Sequence, residues 1–218
     1  MNEAVSDAAA RLARLHAELR ERICLLDYPP GAKLSEEALA AEHGTSRTPL
    51  RRALARLEDE GLVRAVHGVG TLVTDVDISE MGQTYALRLE LAQLVGMLAP
   101  APVTQATLDA LDTLVADGDR LAAAPDPRGF ARLNMAFFGF GLALTRNEPL
   151  REVSERLYYR TARIWLQAIP RMDLAAEIAH FRAEMSGTAE ALRAGDLQAA
   201  ALLRRAHLSM SFARLSRF

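Results

Sequence analysis

The sequence predicts a mainly helical protein in two parts: a small N-terminal unit carrying a short β wing, and a C-terminal antiparallel all-α bundle of about six helices. Three observations lead there. Apolar residues recur at helical spacing through most of the chain. Capping residues, prolines and glycines divide that pattern into segments joined by short loops, which favours antiparallel neighbours. One stretch alone, LVRAVHGVGTLV at 62–73, alternates apolar residues around glycines and reads as a hairpin. With 218 residues, half of them hydrophobic, the chain is long enough to bury a real core.

In chain order, residues 8–27 read as a helix with Leu12, Leu15, Leu19, Ile23 and Leu26 on one face, ended by the turn Tyr28-Pro29-Pro30-Gly31. Ser35 caps a second helix, with Glu36 and Glu37 in its first turn, where the helix dipole favours negative charge. Gly44 stops it near His43. Thr45 or Ser46 caps a third helix, with Pro49 in the first turn, where its missing N–H costs nothing. This helix runs to about Glu60, with Gly61 just past its end. Its stripe of Leu50, Ala53, Leu54 and Leu57 is the natural partner for the first helix. Thr48, Arg51, Arg52 and Ala55 face away from that stripe, and Ser46 and Arg47 sit at the helix tip. From His43 to Leu57 there are four arginines and no acid. Two helices, a tight turn and a wing make a winged helix-turn-helix. Such a unit places its second helix in the DNA major groove, N-terminal end first, and arginine suits both phosphate and the guanine edge.

These residues resemble a known family. The run PPGAKLSEEALAAEHGTSRTPLRRALARLEDEGLV, followed by HGVGTLV, is similar to the DNA-binding domain of GntR-superfamily bacterial regulators, over roughly residues 8–75. The resemblance implies DNA contacts at Ser46, Arg47, Thr48, Arg51, His67 and Gly68. Arg52 departs from the pattern, because the family commonly has Glu there; it adds positive charge and alters which bases are read.

Charge does not announce a nucleic-acid partner. The net charge is −2, and residues 1–75 carry 10 Lys plus Arg against 12 Asp plus Glu. The DNA reading therefore rests on local clustering, with modest non-specific binding expected. One cysteine, Cys24, excludes an internal disulfide and reads as a small buried hydrophobe. The N-terminus lacks the apolar core of a signal peptide, and the most apolar run, Met135 to Leu144, is too short to span a bilayer. A cytoplasmic protein without a membrane partner is expected.

After a linker at 76–79, residues 80–218 read as the bundle. The expected helices are 79–99, stopped by Pro100 and Pro102; 104–123, capped by Thr104; one capped by Asp126 with Pro127 at N1, ending near Arg146; one capped by Asn147, ending before Pro170; one from Asp173 to Gly195; and a last one capped by Asp196. Leu108, Leu111, Leu114 and Val115 face inward. FARLNMAFFGFGLALTRNEPL (130–150) and AEALRAGDLQAAALLRRAHL (189–208) are similar to the FCD domain, the FadR-type C-terminal branch of the superfamily. That resemblance implies an all-helical pocket for small organic acids, dimerisation, and DNA binding altered by the ligand.

Many FCD domains hold a divalent metal through an Asp, a His four residues on, and two further His. Those positions fall here on Asn134, Phe138, Met185 and His207. One imidazole cannot satisfy an ion that wants about four ligands, so no metal and no cofactor are expected. Arg88 falls where relatives often carry an inward arginine; with His207 it would hold a carboxylate, or else it is a solvated or ion-paired surface residue. The phenylalanines of 130–140 either fill a core or line a cavity. His180 completes a single ExxH motif, too little for a di-iron bundle, and reads as a surface or helix-packing residue. Trp165, Tyr158 and Tyr159 read as core or dimer interface. No nucleophile–base pair, phosphate loop or dinucleotide fingerprint occurs, so no enzyme is expected. The resulting expectation is a ligand-responsive transcriptional regulator, a repressor that binds a palindromic double-stranded DNA operator as a homodimer and takes a small-molecule effector. The competing readings are an architectural DNA-binding protein without effector and a helical-bundle metal protein or enzyme.

Overall fold

Apolar periodicity is realised as helix almost throughout. The computed structural model describes residues 2–75 and 81–217, with side chains from residue 7 onward. The chain divides into two compact units, Met1–Val76 and Asp77–Phe218. The linker expected at 76–79 lies outside the described residues.

The first unit contains α1 (Asn2–Cys24), β1 (Lys33–Leu34), α2 (Glu36–Glu42), α3 (Arg47–Asp59), β2 (Val63–Val66) and β3 (Gly70–Val73). Leu15, Leu19 and Ile23 of α1 and Leu50, Ala53, Leu54 and Leu57 of α3 are buried and form its core. The hairpin β2–β3 forms with Val66 opposite Gly70, and β1 adds a third strand in the order β1-β3-β2. The two-residue β1 has too little periodicity to show in the sequence. The tip requires positive φ at Gly68 (+74°) and Gly70 (+116°), which glycine supplies without steric cost. The first helix ends earlier than the periodicity suggested. Leu26 turns left-handed at φ +61°, and Cys24 and Leu25 are buried in its place.

The second unit contains α4 (Gly82–Leu94), α5 (Gln105–Ala123), α6 (Pro127–Ala143), α7 (Glu148–Ala162), α8 (Ile164–Ala168), a 3₁₀ turn at Ile169–Arg171, α9 (Leu174–Arg193) and α10 (Leu197–Leu215). The caps form where the sequence places them: the side chains of Thr104, Asp126, Asn147, Asp173 and Asp196 each accept an N–H from the first turn that follows. α4 packs on α10 and α7, α9 on α10 and α5, and α6 on α5 and α7.

Three boundaries differ from expectation. α4 stops at Leu94 rather than running to 99. The backbone beyond it bonds the turn between α6 and α7 instead: Ala101 N–H reaches Leu144 O at 2.9 Å, and Arg146 N–H reaches Ala99 O at 2.8 Å. Gly96 lets the same segment pass close to the start of α10, because a Cβ there would sit 2.9 Å from the Gln198 Cα. The helix expected to run to Arg146 ends at Ala143 for the same reason. The fourth expected helix breaks at Arg163, and the short α8 brings Trp165 edge-on to Phe130, ring centroids 5.7 Å apart.

The bundle core is aromatic at its centre. Phe181 meets Phe130 and Phe137 edge-on at 5.8 and 5.5 Å. α5 and α9 approach closely at Gly118, where a Cβ would lie 2.6 Å from the Met185 Cε.

Candidate nucleic-acid interface and bundle cavity

The amphipathic α3 presents two unlike faces. Its leucines point to α1, while Ser46, Arg47, Thr48, Arg51 and Arg52 are exposed together. Ser46 holds the N-cap position with extended backbone, yet its hydroxyl caps nothing. A side-chain cap is worth about 1 kcal/mol, so this helix begins with open N–H groups and a spare hydroxyl at its tip. Arg51 Nε donates to Glu36 Oε2 at 2.7 Å, and Arg47 lies 3.5 Å from Glu37 Oε2. Among the described residues, Arg52 makes no ion pair. His67 and Gly68 are exposed at the wing tip. The far end of α3 is fixed by residues that sequence reasoning did not single out. Glu60 lies 2.9 Å from the buried His16 Nε2, 3.7 Å from Arg20 and 3.6 Å from Arg56. The Glu58 carboxylate accepts the Ala65 N–H at 2.6 Å, tying the helix to the wing.

In the bundle, a polar chamber lies among α4, α6, α7, α9 and α10. It is lined by Arg88, Asn134, Thr161, Glu184, Arg204 and His207, with Glu177, Arg214, His180 and several aromatic rings around them. Two of its three arginines are neutralised. Arg214 grips Glu177 with two bonds, 2.6 and 2.8 Å, and Arg204 pairs with Glu184. Arg88 differs. It is 8% exposed, donates to Thr161 Oγ1 at 2.6 Å, and has no carboxylate partner among the described residues. Its guanidinium instead sits over the rings of Tyr85 (4.7 Å) and Tyr158 (5.2 Å). Those rings are themselves backed by Phe212 and Phe138 in stacked contact. Burial lowers the Arg88 pKa, with Arg204 adding to the effect. Burial also acts to lower Arg204, but Glu184 with Tyr158 and Tyr85 raises it, and the net shift is upward. His207 is lowered, first by burial and then by Arg204, Arg214 and His180, against a raising influence from Glu184.

Of the five pocket candidates Arg88, Asn134, Phe138, Met185 and His207, four line cavities. Asn134 and His207 face the polar chamber, Arg88 faces both this one and its neighbour, and Phe138 lines the neighbour while stacking on Tyr158. Asn134 donates its amide to Phe130 O at 3.1 Å. Met185 is a correction: it is fully buried between α5 and α9, against Gly118, and lines neither chamber. One residue is about 100° of helix, and that step makes Glu184 the residue facing the chamber. Glu184 was not singled out and Glu177 only as the start of the ExxH motif, since nothing local separates an inward glutamate from an outward one. Tyr158 is buried and Trp165 packs on the core, whereas His180 is an exposed residue at the chamber rim.

Family models match both units: bacterial regulatory proteins of the gntR family over residues 12–73, and the FCD domain over residues 83–210. The chain belongs to the GntR family. It is 38% identical over 107 residues to an uncharacterized HTH-type transcriptional regulator in an unstable DNA locus of Streptomyces ambofaciens, covering 48% of this chain and 44% of that one. It is also 38% identical over 82 residues to the gluconate operon transcriptional repressor of Bacillus licheniformis, covering 38% and 33%. The chain thus spans less than half the length of these two relatives. Its fold matches E. coli McbR/YncC with a TM-score of 0.81 at 21% identity, over 95% of this chain and 97% of that one. The GntR family and these relatives are transcriptional regulators, not enzymes.

A divalent ion does not fit the donors present in this GntR-family bundle. Phe138 has no donor atom, Asn134 is a neutral amide, and Glu177 and Glu184 are already held by arginines. Among the described residues, no three His, Cys, Asp or Glu side chains gather as a metal site. No helix there is long and apolar enough to cross a membrane.

Proposed function

We propose that this protein is a ligand-responsive transcriptional repressor of the cytoplasm, which binds a palindromic operator as a homodimer. Residues 1–75 bind DNA, and residues 80–218 dimerise and bind the effector. Ser46, Arg47, Thr48, Arg51, Arg52, His67 and Gly68 form the DNA face. Glu36 and Glu37 occupy Arg51 and Arg47 in the free protein, so phosphate or a guanine edge exchanges one anion for another rather than desolvating a bare cation. The effector is a small organic acid, its carboxylate taken by Arg88 with His207 alongside.

The observation that carries this reading is the pairing pattern in the bundle. Three arginines face one chamber, two have glutamates, and the third is buried among neutral partners, the Thr161 and Tyr85 side chains and aromatic rings. A buried cation without a counter-ion is costly, and cation–π contact offsets only part of that cost. A carboxylate ligand supplies the missing charge. The test is fluorescence anisotropy on the DNA flanking the gene, titrated with organic acids. Acid-dependent release from a specific fragment is the expected result. An architectural DNA-binding protein would bind without sequence preference, and no acid would raise its melting temperature.

A further inference from the structure

A second chamber adjoins the polar one and shares Arg88, Arg204 and Leu208 with it. It lies between α4, α6 and α10, and its walls include Leu91, Val95, Phe137, Phe140, Leu142 and Ala201. It holds about 70 Å³ of free space, against about 30 Å³ in the polar chamber. By this kind of measure one water needs roughly 10–15 Å³, so the larger space is several times what one water needs. Away from Arg88 and Arg204 on the shared wall, its sides give water few partners. Thr188 is already committed to the Glu184 carbonyl at 2.8 Å, and only Ser154 adds a hydroxyl without a partner. Open space beside apolar walls forfeits the dispersion contacts that normally fill a core. An apolar group entering it regains them and leaves water.

We infer that the effector is an amphipathic monocarboxylate, with its acid group on Arg88 and an apolar tail lodged in the chamber between α4, α6 and α10. The inference rests on the reading of Arg88 as the carboxylate anchor, and adds the class of molecule attached to that carboxylate. The position of Arg88 decides the geometry. It stands on the wall common to both chambers, so an acid bound there has polar surroundings on one side and apolar ones on the other. A small polyhydroxy acid or a dicarboxylate would leave hydroxyls or a second charge against Leu91 and Phe140, which costs free energy without a partner.

The test is calorimetric titration of the full chain, in carboxylate-free buffer, with acetate, butanoate, hexanoate and octanoate and with their primary amides. Each added methylene should tighten binding about fourfold until the chamber is full, and each amide should bind at least tenfold more weakly than its acid. Arg88→Gln should erase the difference between acid and amide. Gly141 lines the chamber, and a Cβ there would meet nothing within 4 Å. Gly141→Leu should take up part of the chamber and cost octanoate at least tenfold more than acetate. Ala92→Leu on the opposite wall is the second variant, used if Gly141→Leu lowers the melting temperature. Acids that bind through Arg88 with no gain along the series, or with neither filling variant affecting octanoate, would overturn the amphipathic ligand and leave the anchor standing. No acid binding at all, or acids binding Arg88→Gln as well as wild type, would overturn the anchor and the inference together.

Discussion

Arg47, Arg51 and Arg52 carry the same charge on one helix, but they start from different states. Arg51 and Arg47 are paired with carboxylates that DNA would have to displace, whereas Arg52 has no such partner among the described residues. Arg47→Ala and Arg51→Ala should each weaken operator binding by about 1–3 kcal/mol at a base contact, or lower the salt slope by about one at a phosphate contact. Anisotropy titrations at several salt concentrations separate the two outcomes, and folded variants that bind like wild type would remove α3 from the interface. Arg52→Glu should shift the preferred sequence or weaken binding, as read by selection from a randomised operator library. His207 carries a pH prediction. Its folded pKa lies below the ordinary 6.5 because burial disfavours the charged form. Its contribution to stability is therefore complete above pH 6.5 and is lost as pH falls through the lowered folded value, because the unfolded chain takes up the proton first. A bound carboxylate favours the imidazolium, so acid binding should draw in a proton and tighten as pH falls toward 6. The groups facing His207 are Glu184, Arg204, Arg214 and His180. Calorimetry in buffers of different ionisation enthalpy measures the proton count, and His207→Gln should bring it to zero.

At the scale of elements, α5 and α9 are held by shape more than by charge. Exposed ion pairs join Arg182 to Asp119 and Arg193 to Asp112 across them, and such pairs are each worth at most about 1 kcal/mol. The close approach of Met185 to Gly118 contributes more. Met185→Ala should destabilise the bundle by about 2–5 kcal/mol, seen as a lower denaturant midpoint, while leaving acid affinity in the folded protein unchanged. A loss of ligand affinity without a loss of stability would return Met185 to the pocket. In the first unit, the Glu60 cluster and the Glu58–Ala65 bond fix the far end of α3, so the exposed end projects from a rigid support.

At the scale of the whole molecule, one winged helix reads only a half-site, and two half-sites related by two-fold symmetry multiply the specificity. We expect a homodimer through the bundle or the winged units. Leu87 on α4 and Val153 on α7 are among the large apolar side chains left exposed. Sedimentation of the full chain should show a dimer, and a monomer with full operator affinity would contradict this. The bundle should also be metal-free after dialysis and stay so with added Zn²⁺, Ni²⁺ or Mn²⁺, measured by elemental analysis. A stoichiometric ion lost on His207→Ala would show that the donors had been misjudged.

The sequence by itself determined the two-part order, most of the helices and their caps, and the charged face of α3. These depend on interactions within a few residues: a capping oxygen three positions before an N–H, a leucine stripe every three or four residues, a glycine where φ is positive. It also placed Arg88, Asn134, Phe138 and His207, through resemblance and helical phase. What tertiary structure decided lies across long separations. Residues 95–104 leave the helix because the α6–α7 turn offers them hydrogen bonds, and β1 exists only because β3 is there to pair with it. His16 meets Glu60 across 44 positions. Met185 and Glu184 differ by one step of helix phase, and only the packing of α9 against α5 and α10 selects which of them faces the chamber. The unmatched charge of Arg88 is of the same kind, since a missing partner can be recognised only when every neighbour has been placed.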